Sequence, residues 1–181
     1  MERRGLDKER ELLSRSTRDL VLAAFFLALG LLMPFLTAQI PSLGARLLPM
    51  HIPVLICGFV LGGPMGLIVG FITPLLRSLL IGMPPMFPTA VAMAFELAAY
   101  GLLTGMLYKK TRSVYPALLI AMVGGRMVWG VVSFILYGLS GSAFTLNMFV
   151  AGALINAVPG IIFQIIVIPL IIIALQRARL I

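Results

Sequence analysis

The sequence predicts an all-α membrane protein with six transmembrane helices. Of its 181 residues, 61% are hydrophobic and only 11% are charged, whereas soluble domains are about half apolar and a quarter charged. The mean hydropathy is +1.11. At about 20 apolar residues per spanning helix, the chain has room for about five or six spans and for no sizeable soluble domain.

The apolar runs separate at glycine, proline and charged residues. These boundaries predict spans at roughly 20–38, 47–61, 65–81, 89–108, 115–138 and 143–175. The last run is longer than a bilayer requires, and Pro159 and Pro169 inside it predict a kink or a break. Residues 82–88, GMPPMFP, predict a rigid extended connection, because clustered prolines remove amide donors and disfavour helix before them.

Residues 1–19 mix basic and acidic side chains and predict a cytoplasmic N-terminal segment, amphipathic or solvated, ahead of a six-helix transmembrane domain at 20–181. A secretory signal peptide is the competing interpretation, because basic residues precede an apolar run. The run at 20–36 exceeds the usual apolar core of such a signal, so it favours a first transmembrane span.

The basic residues predict the orientation of the chain, because cytoplasmic loops collect Lys and Arg near span ends. With six spans, the N-terminal segment, the loop at 109–112 and the tail with Arg177 and Arg179 fall on one side. The opposite loops, at 39–46, 82–88 and 139–142, hold only Arg46. Both termini are therefore predicted to be cytoplasmic. Because the basic residues flank apolar runs, the net charge of +8 is explained by membrane orientation, and no nucleic-acid partner is expected.

Several classes of chemistry are excluded by composition. A single cysteine, Cys57, excludes a disulfide framework, and a single histidine, His51, excludes a multi-histidine metal site. The sequence has no phosphate-binding glycine-lysine loop and no pairing of a nucleophile with a second histidine as base. We therefore expect a protein that is not an enzyme and that needs no metal or cofactor.

Polar residues at membrane depth are the candidates for function, because a charged side chain near the bilayer centre costs about 2.5–3.5 kcal/mol on insertion scales. Most of them fall in the outer half or near mid-depth, and Gln164 alone falls clearly in the inner half. This distribution predicts a pocket that is open to the outside. The predicted substrate contacts, with one aromatic residue on the helical face of Arg126, are Arg46, His51, Arg77, Glu96, Arg126, Trp129, Asn147 and Asn156.

The charges in this set are unbalanced. Once Glu96 pairs with Arg77 or Arg126, a positive surplus remains for an anionic ligand group such as a carboxylate or phosphate. Structural alternatives stay open. Glu96 and one arginine are as typical of a structural ion pair as of a ligand site. His51 is as typical of a hydrogen-bonded structural residue, and Asn156 could equally form a hydrogen bond between helices.

Small residues recur at spacings of four, which places each set on one helical face. Examples are Ala24 with Ala28, Gly58 with Gly62, and Gly101 with Gly105. Such faces let helices approach closely. They predict packing within the bundle or docking against another membrane protein.

The stretch at 47–105, LLPMHIPVLICGFVLGGPMGLIVGFITPLLRSLLIGMPPMFPTAVAMAFELAAYGLLTG, resembles the substrate-binding S components of energy-coupling factor (ECF) transporters. The turn at 62–64 and the MPPMFP connection are its strongest local features. The Ala-x-x-x-Ala face formed by Ala24 and Ala28 matches the one with which the family docks on its transmembrane coupling subunit. The resemblance covers nearly the whole chain after residue 19.

The resemblance implies a high-affinity vitamin-binding subunit, a multi-pass protein of a prokaryotic cytoplasmic membrane, without an ATPase of its own. It implies a ligand near the outer surface, and partners that comprise a coupling subunit and two ATPase subunits. Among familiar vitamins, pantothenate best fits the positive surplus and the modest aromatic content. Two other hypotheses compete: a self-sufficient carrier that couples uptake to protons through Glu96, and a scaffold subunit without a ligand.

Overall fold

A computed structural model describes residues 2–37, 46–141 and 143–180, with side chains from residue 16 onward except those of 37, 153 and 154. The predicted outer loop at 39–46 lies outside the described residues except for Arg46. Within the described ranges the chain forms helices and no strand. The helices are α1 (Glu2–Leu32), α2 (His51–Leu61), α3 (Gly63–Ile81), α4 (Val91–Thr111), α5 (Val114–Leu139), the short α6 (Leu146–Val150) and α7 (Val158–Arg177).

Among the residues that the structure describes, five helical stretches are long and apolar enough to cross a membrane: Ser16–Leu36, Gly63–Ile81, Met86–Thr111, Val114–Leu139 and Val158–Arg177. The predicted all-α membrane fold is therefore confirmed. The second predicted span is different, because α2 has only 11 residues. At 1.5 Å per residue it is about 16 Å long, roughly half the hydrocarbon thickness of a bilayer.

The short helix α2 lies at the centre of the bundle. Residues 51–59 are all buried, and α2 contacts α1, α3, α4 and α7. Because longer helices surround it, α2 carries its first residue, His51, into the interior rather than to a membrane surface.

Glycines bring α3 and α4 to backbone contact. A Cβ atom added to Gly101 would collide with the backbone of Gly66, and one added to Gly70 would collide with the carbonyl of Leu97. These two contacts define an antiparallel register between the helices. Gly58 of α2 also approaches the carbonyl of Gly101, so the predicted packing role of the small-residue faces is confirmed there.

Three boundaries differ from the sequence prediction or refine it. Residues 2–19, predicted as a separate segment, belong to the same helix as the first span. The extended connection ends early, because Met86–Ala90 forms a π-helical turn in which only Phe87 is extended. The sixth predicted span is broken as expected: α6 and a π-helical turn, Ala151–Ile155, end before α7, whose first turn contains Pro159. Proline fits there because the first turn lacks an intrahelical acceptor for its amide.

The glycine contact gives a direct test of this packing. We expect Gly101→Ala to lower the midpoint of thermal unfolding in detergent, because overpacking a tight contact costs about 1–3 kcal/mol. Gly138→Ala is the matched control, because a Cβ atom there meets nothing within 4 Å and alanine favours helix. Equal midpoints for the two variants would contradict the close approach of α3 and α4.

Candidate substrate-binding site

A buried carboxylate on α4 organises the polar interior. Glu96 is 1% exposed, and its Oε1 lies 2.8 Å from Arg126 Nη1. The same oxygen accepts a hydrogen bond from the Tyr100 hydroxyl at 3.2 Å and lies 3.6 Å from His51 Nε2. We call these four residues the Glu96 cluster.

Local sequence explains how three helices meet at this cluster. Glu96 and Tyr100 are four residues apart, so they share one face of α4. The ring of His51, at the start of α2, packs edge-on against Tyr100 at 5.3 Å between centroids. Gly125 lets α5 approach, because a Cβ atom there would lie 2.6 Å from the Tyr100 ring. The adjacent residue, Arg126, thereby reaches Glu96.

The ion pair uses only part of the arginine. Nε and Nη2 of Arg126 are buried and have no hydrogen-bond partner among the described residues. These two groups form one side of the guanidinium, and their parallel N–H bonds match the two oxygens of a carboxylate. We call this pair of donors the free side of Arg126. A buried donor without a partner costs about 1–3 kcal/mol, so an acceptor at this position is favoured.

Two other residues of the described interior carry unpartnered polar atoms. Ser133 Oγ is buried without a hydrogen-bond partner in the described part of the chain. It is seven residues after Arg126, which places both on one face of α5. Both ring nitrogens of His51 are buried without a hydrogen bond to any described group. The site therefore offers donors and acceptors beyond those that stabilise Glu96.

Aromatic rings cover the same face of α5, one turn beyond Arg126. The indole of Trp129 stacks on Phe149 with centroids 6.1 Å apart, and Phe144 meets it edge-on at 5.7 Å. Gly130 leaves room for the Phe149 ring, and Gly152 leaves room for the indole. The segment at 143–152 thus forms an aromatic wall, by which we mean Trp129, Phe144 and Phe149.

Comparison with known families decides which class of protein carries this site. The family of substrate-specific components of ECF transporters matches residues 18–172. The chain belongs to this family. The matched range includes the Glu96 cluster, the aromatic wall and the five long apolar helices almost in full. Comparisons with curated proteins and with solved structures gave no match.

Membership makes the chain a substrate-specific membrane subunit, and the proteins of this family are substrate-binding transport subunits. It also implies a small-molecule substrate and a complex with other ECF subunits. The resemblance found in residues 47–105 is thereby confirmed.

In this S component the predicted site residues separate into groups. His51, Glu96 and Arg126 lie together, and Trp129 is one helical turn away. Gln164 is buried and donates to the carbonyl of Leu48 at 3.4 Å. Three predicted substrate contacts have exposed side chains and do not join the cluster: Arg46, Asn147 and Asn156. The predicted docking residues, Ala24 and Ala28, are exposed on α1.

Arg77 has a different environment. Its Nη1 donates to the carbonyl of Leu31 at 2.7 Å, and its guanidinium carbon lies 5.5 Å from the centroid of Phe35. The register of α3 against α4 places Arg77 about 9 Å along the helix axis from the level of Glu96. Arg77 therefore binds the end of α1, where the helix tightens into a 3-10 turn.

Sequence reasoning missed Tyr100, Ser133, Phe144 and Phe149. The spacing of four between Glu96 and Tyr100, and of seven between Arg126 and Ser133, was a usable signal. No comparable signal links Trp129 to Phe149, because the contact depends on how the segment at 143–157 folds back over α5.

The buried ion pair predicts that the contributions of Glu96 and Arg126 to the stability of the fold are strongly coupled. We expect Glu96→Gln to lower the midpoint of thermal unfolding markedly, because removing one partner of a buried ion pair costs about 3–5 kcal/mol. The double variant Glu96→Gln with Arg126→Met should lose less stability than Glu96→Gln alone, since no charge is left unpaired. Additive losses in the double variant would contradict the direct pairing.

Proposed function

We propose that this S component captures a small anionic nutrient and that the carboxylate of the nutrient binds the free side of Arg126. One observation carries the proposal: Glu96 fixes Nη1 of Arg126, while Nε and Nη2 are buried without a partner among the described residues. Glu96 holds the arginine in place, so the donors are oriented before the ligand arrives. Preorganised donors lower the cost of binding.

The surroundings support a ligand with a polar group and an apolar body. His51, in the Glu96 cluster, offers a hydrogen bond, and Ser133 offers another about 10 Å further along α5. The aromatic wall, which begins one turn from Arg126, offers apolar surface. Pantothenate, predicted from the charge surplus, is the first candidate. Ring-bearing acids such as nicotinate are the second, because stacking on Trp129 would stabilise them.

We place the site in the outer half of the bundle, with both termini in the cytoplasm. Arg18 Nη2 donates to the carbonyl of Leu180 at 3.4 Å, which supports placing both ends of the chain on one side. The last turn of α4 carries Lys109 and Lys110, and that of α7 carries Arg177, as expected of cytoplasmic ends. Glu96 lies about 22 Å along α4 from its basic end.

The expected partners are a transmembrane coupling subunit and two ATPase subunits in a prokaryotic cytoplasmic membrane, with ATP hydrolysis on the ATPase subunits. Ala24 and Ala28 form the proposed docking face, because both are exposed on α1 and small side chains permit close helix contact. Arg46, Asn147 and Asn156 are exposed and are proposed as contacts at the rim of the site.

The conservative variant Arg126→Lys tests the binding mode. Lysine keeps a positive charge for Glu96 but cannot present two parallel N–H donors. We expect ligand affinity to fall about 10- to 100-fold, in keeping with about 1.5–3 kcal/mol for hydrogen bonds to a charged group. The titration follows Trp129 fluorescence in detergent, with calorimetry as a second readout.

Arg177→Gln is the control for this titration, because Arg177 is exposed in the last turn of α7, away from the cluster. Its affinity should equal that of the unmodified chain. Unchanged affinity in Arg126→Lys, with the fold intact by thermal unfolding, would refute the proposed contact.

The docking face has a separate test. We expect Ala24→Leu or Ala28→Leu to weaken copurification with the coupling subunit at least 10-fold, because the larger side chain keeps the helices apart. Ligand affinity should stay unchanged. Ala174→Leu, at an exposed alanine on α7, serves as the control, and an equal loss in this control would contradict a specific face.

A further inference from the structure

A long groove lies on the surface of the bundle between α1 and α7, with α2 as its floor. Its cavity measures about 1200 Å³. It begins near Arg18 and Leu180 and extends to Leu36 and Leu47. The span from Arg18 to Leu36 corresponds to about 27 Å of helix, which is close to the hydrocarbon thickness of a membrane.

The groove is apolar along its length and basic at one end. Its walls include Val21, Phe25 and Leu29 of α1 and Phe163, Val167 and Ile171 of α7. Arg18 is the charged side chain among its lining residues in the described part of the chain. Ala24 and Ala28 are not among the lining residues. The proposed docking face borders the groove, because Ala28 lies within about 60° of Val21 and Phe25 around the axis of α1.

Basic residues occur in both chain segments that meet where the groove begins. The hydrogen bond from Arg18 to the carbonyl of Leu180 brings the residues after α7 to this end. Arg177, the last residue of α7, and Arg179 after it are exposed. Asp19 is the neighbouring acid among the side chains described there. A surplus of positive charge at the end of an apolar groove is complementary to a molecule with an anionic head and apolar chains.

We propose that, in the isolated subunit, an acidic diacyl phospholipid occupies the part of this groove nearest Arg18. Its phosphate binds Arg18, and its acyl chains lie along α1 and α7 over the floor formed by Ile56 and Val60 of α2. Charge favours a lipid as the occupant, because the basic end of the groove complements an anionic headgroup and its apolar walls complement acyl chains.

Native mass spectrometry tests the proposal on the full chain in micelles that contain equal amounts of phosphatidylglycerol and phosphatidylcholine. We expect one retained phospholipid per chain, with phosphatidylglycerol preferred at least fivefold. Arg18→Gln should bring the ratio of the two lipids close to one. Ile171→Trp should lower retention, because the larger side chain narrows the groove where the acyl chains lie.

Matched controls separate this site from general lipid contact. Lys110→Gln removes an exposed basic charge from the last turn of α4, and Ile120→Trp enlarges a side chain that is 52% exposed on α5. Both should retain phosphatidylglycerol as the unmodified chain does.

Three results would overturn the proposal: equal retention of both lipids by the unmodified chain, undiminished retention of lipid by Ile171→Trp, or a dimeric mass that Ile171→Trp removes. The last would assign the groove to a second copy of the chain. The readout is a bound lipid and involves no nutrient, so the test is independent of the function proposed for Arg126.

Discussion

A carboxylate that is 1% exposed inside a membrane protein requires a cation, and this requirement shapes the centre of the bundle. Glu96 meets it with Arg126 at 2.8 Å. The pair joins α4 to α5, and the contacts of Glu96 with Tyr100 and His51 extend the same network to α2. Since burial of an unpaired charge is far more costly than burial of a pair, each helix is held where the charges meet. The ion pair is thus both a structural link and the support of the proposed ligand contact.

Close packing supplies the rest of the geometry. Backbone contact between Gly66 and Gly101 sets the register of α3 and α4, and that register separates Arg77 from Glu96. Arg77 then binds the carbonyl of Leu31 at the end of α1, while Arg126 stands opposite the carboxylate. The two arginines therefore have different roles, although both lie in apolar helices. One stabilises the end of a helix, and the other keeps two donors for an acceptor that the described residues do not provide.

The sequence predicts the fold class well, because hydropathy and proline placement act locally. The break before Pro159 and the apolar spans follow from such signals. The pairing of Glu96 with an arginine was also predictable, since no other acid occurs at that depth. The choice of Arg126 over Arg77 was not, because it depends on glycine contacts between helices. The shortness of α2 is likewise a tertiary effect, which the apolar run from 47 to 61 does not reveal. The stacking of Trp129 on Phe149 is another, because it depends on a break in the predicted span from 143 to 175.

The central claim is that the free side of Arg126 recognises a carboxylate, and paired ligands test it most directly. Each acid would be titrated into the purified chain beside a neutral analogue of similar shape, such as pantothenate with panthenol and nicotinate with nicotinamide. We expect one acid to bind at a single site and its neutral analogue to bind at least tenfold more weakly, a difference of about 1.4 kcal/mol. Equal affinity for the acid and its analogue would contradict it.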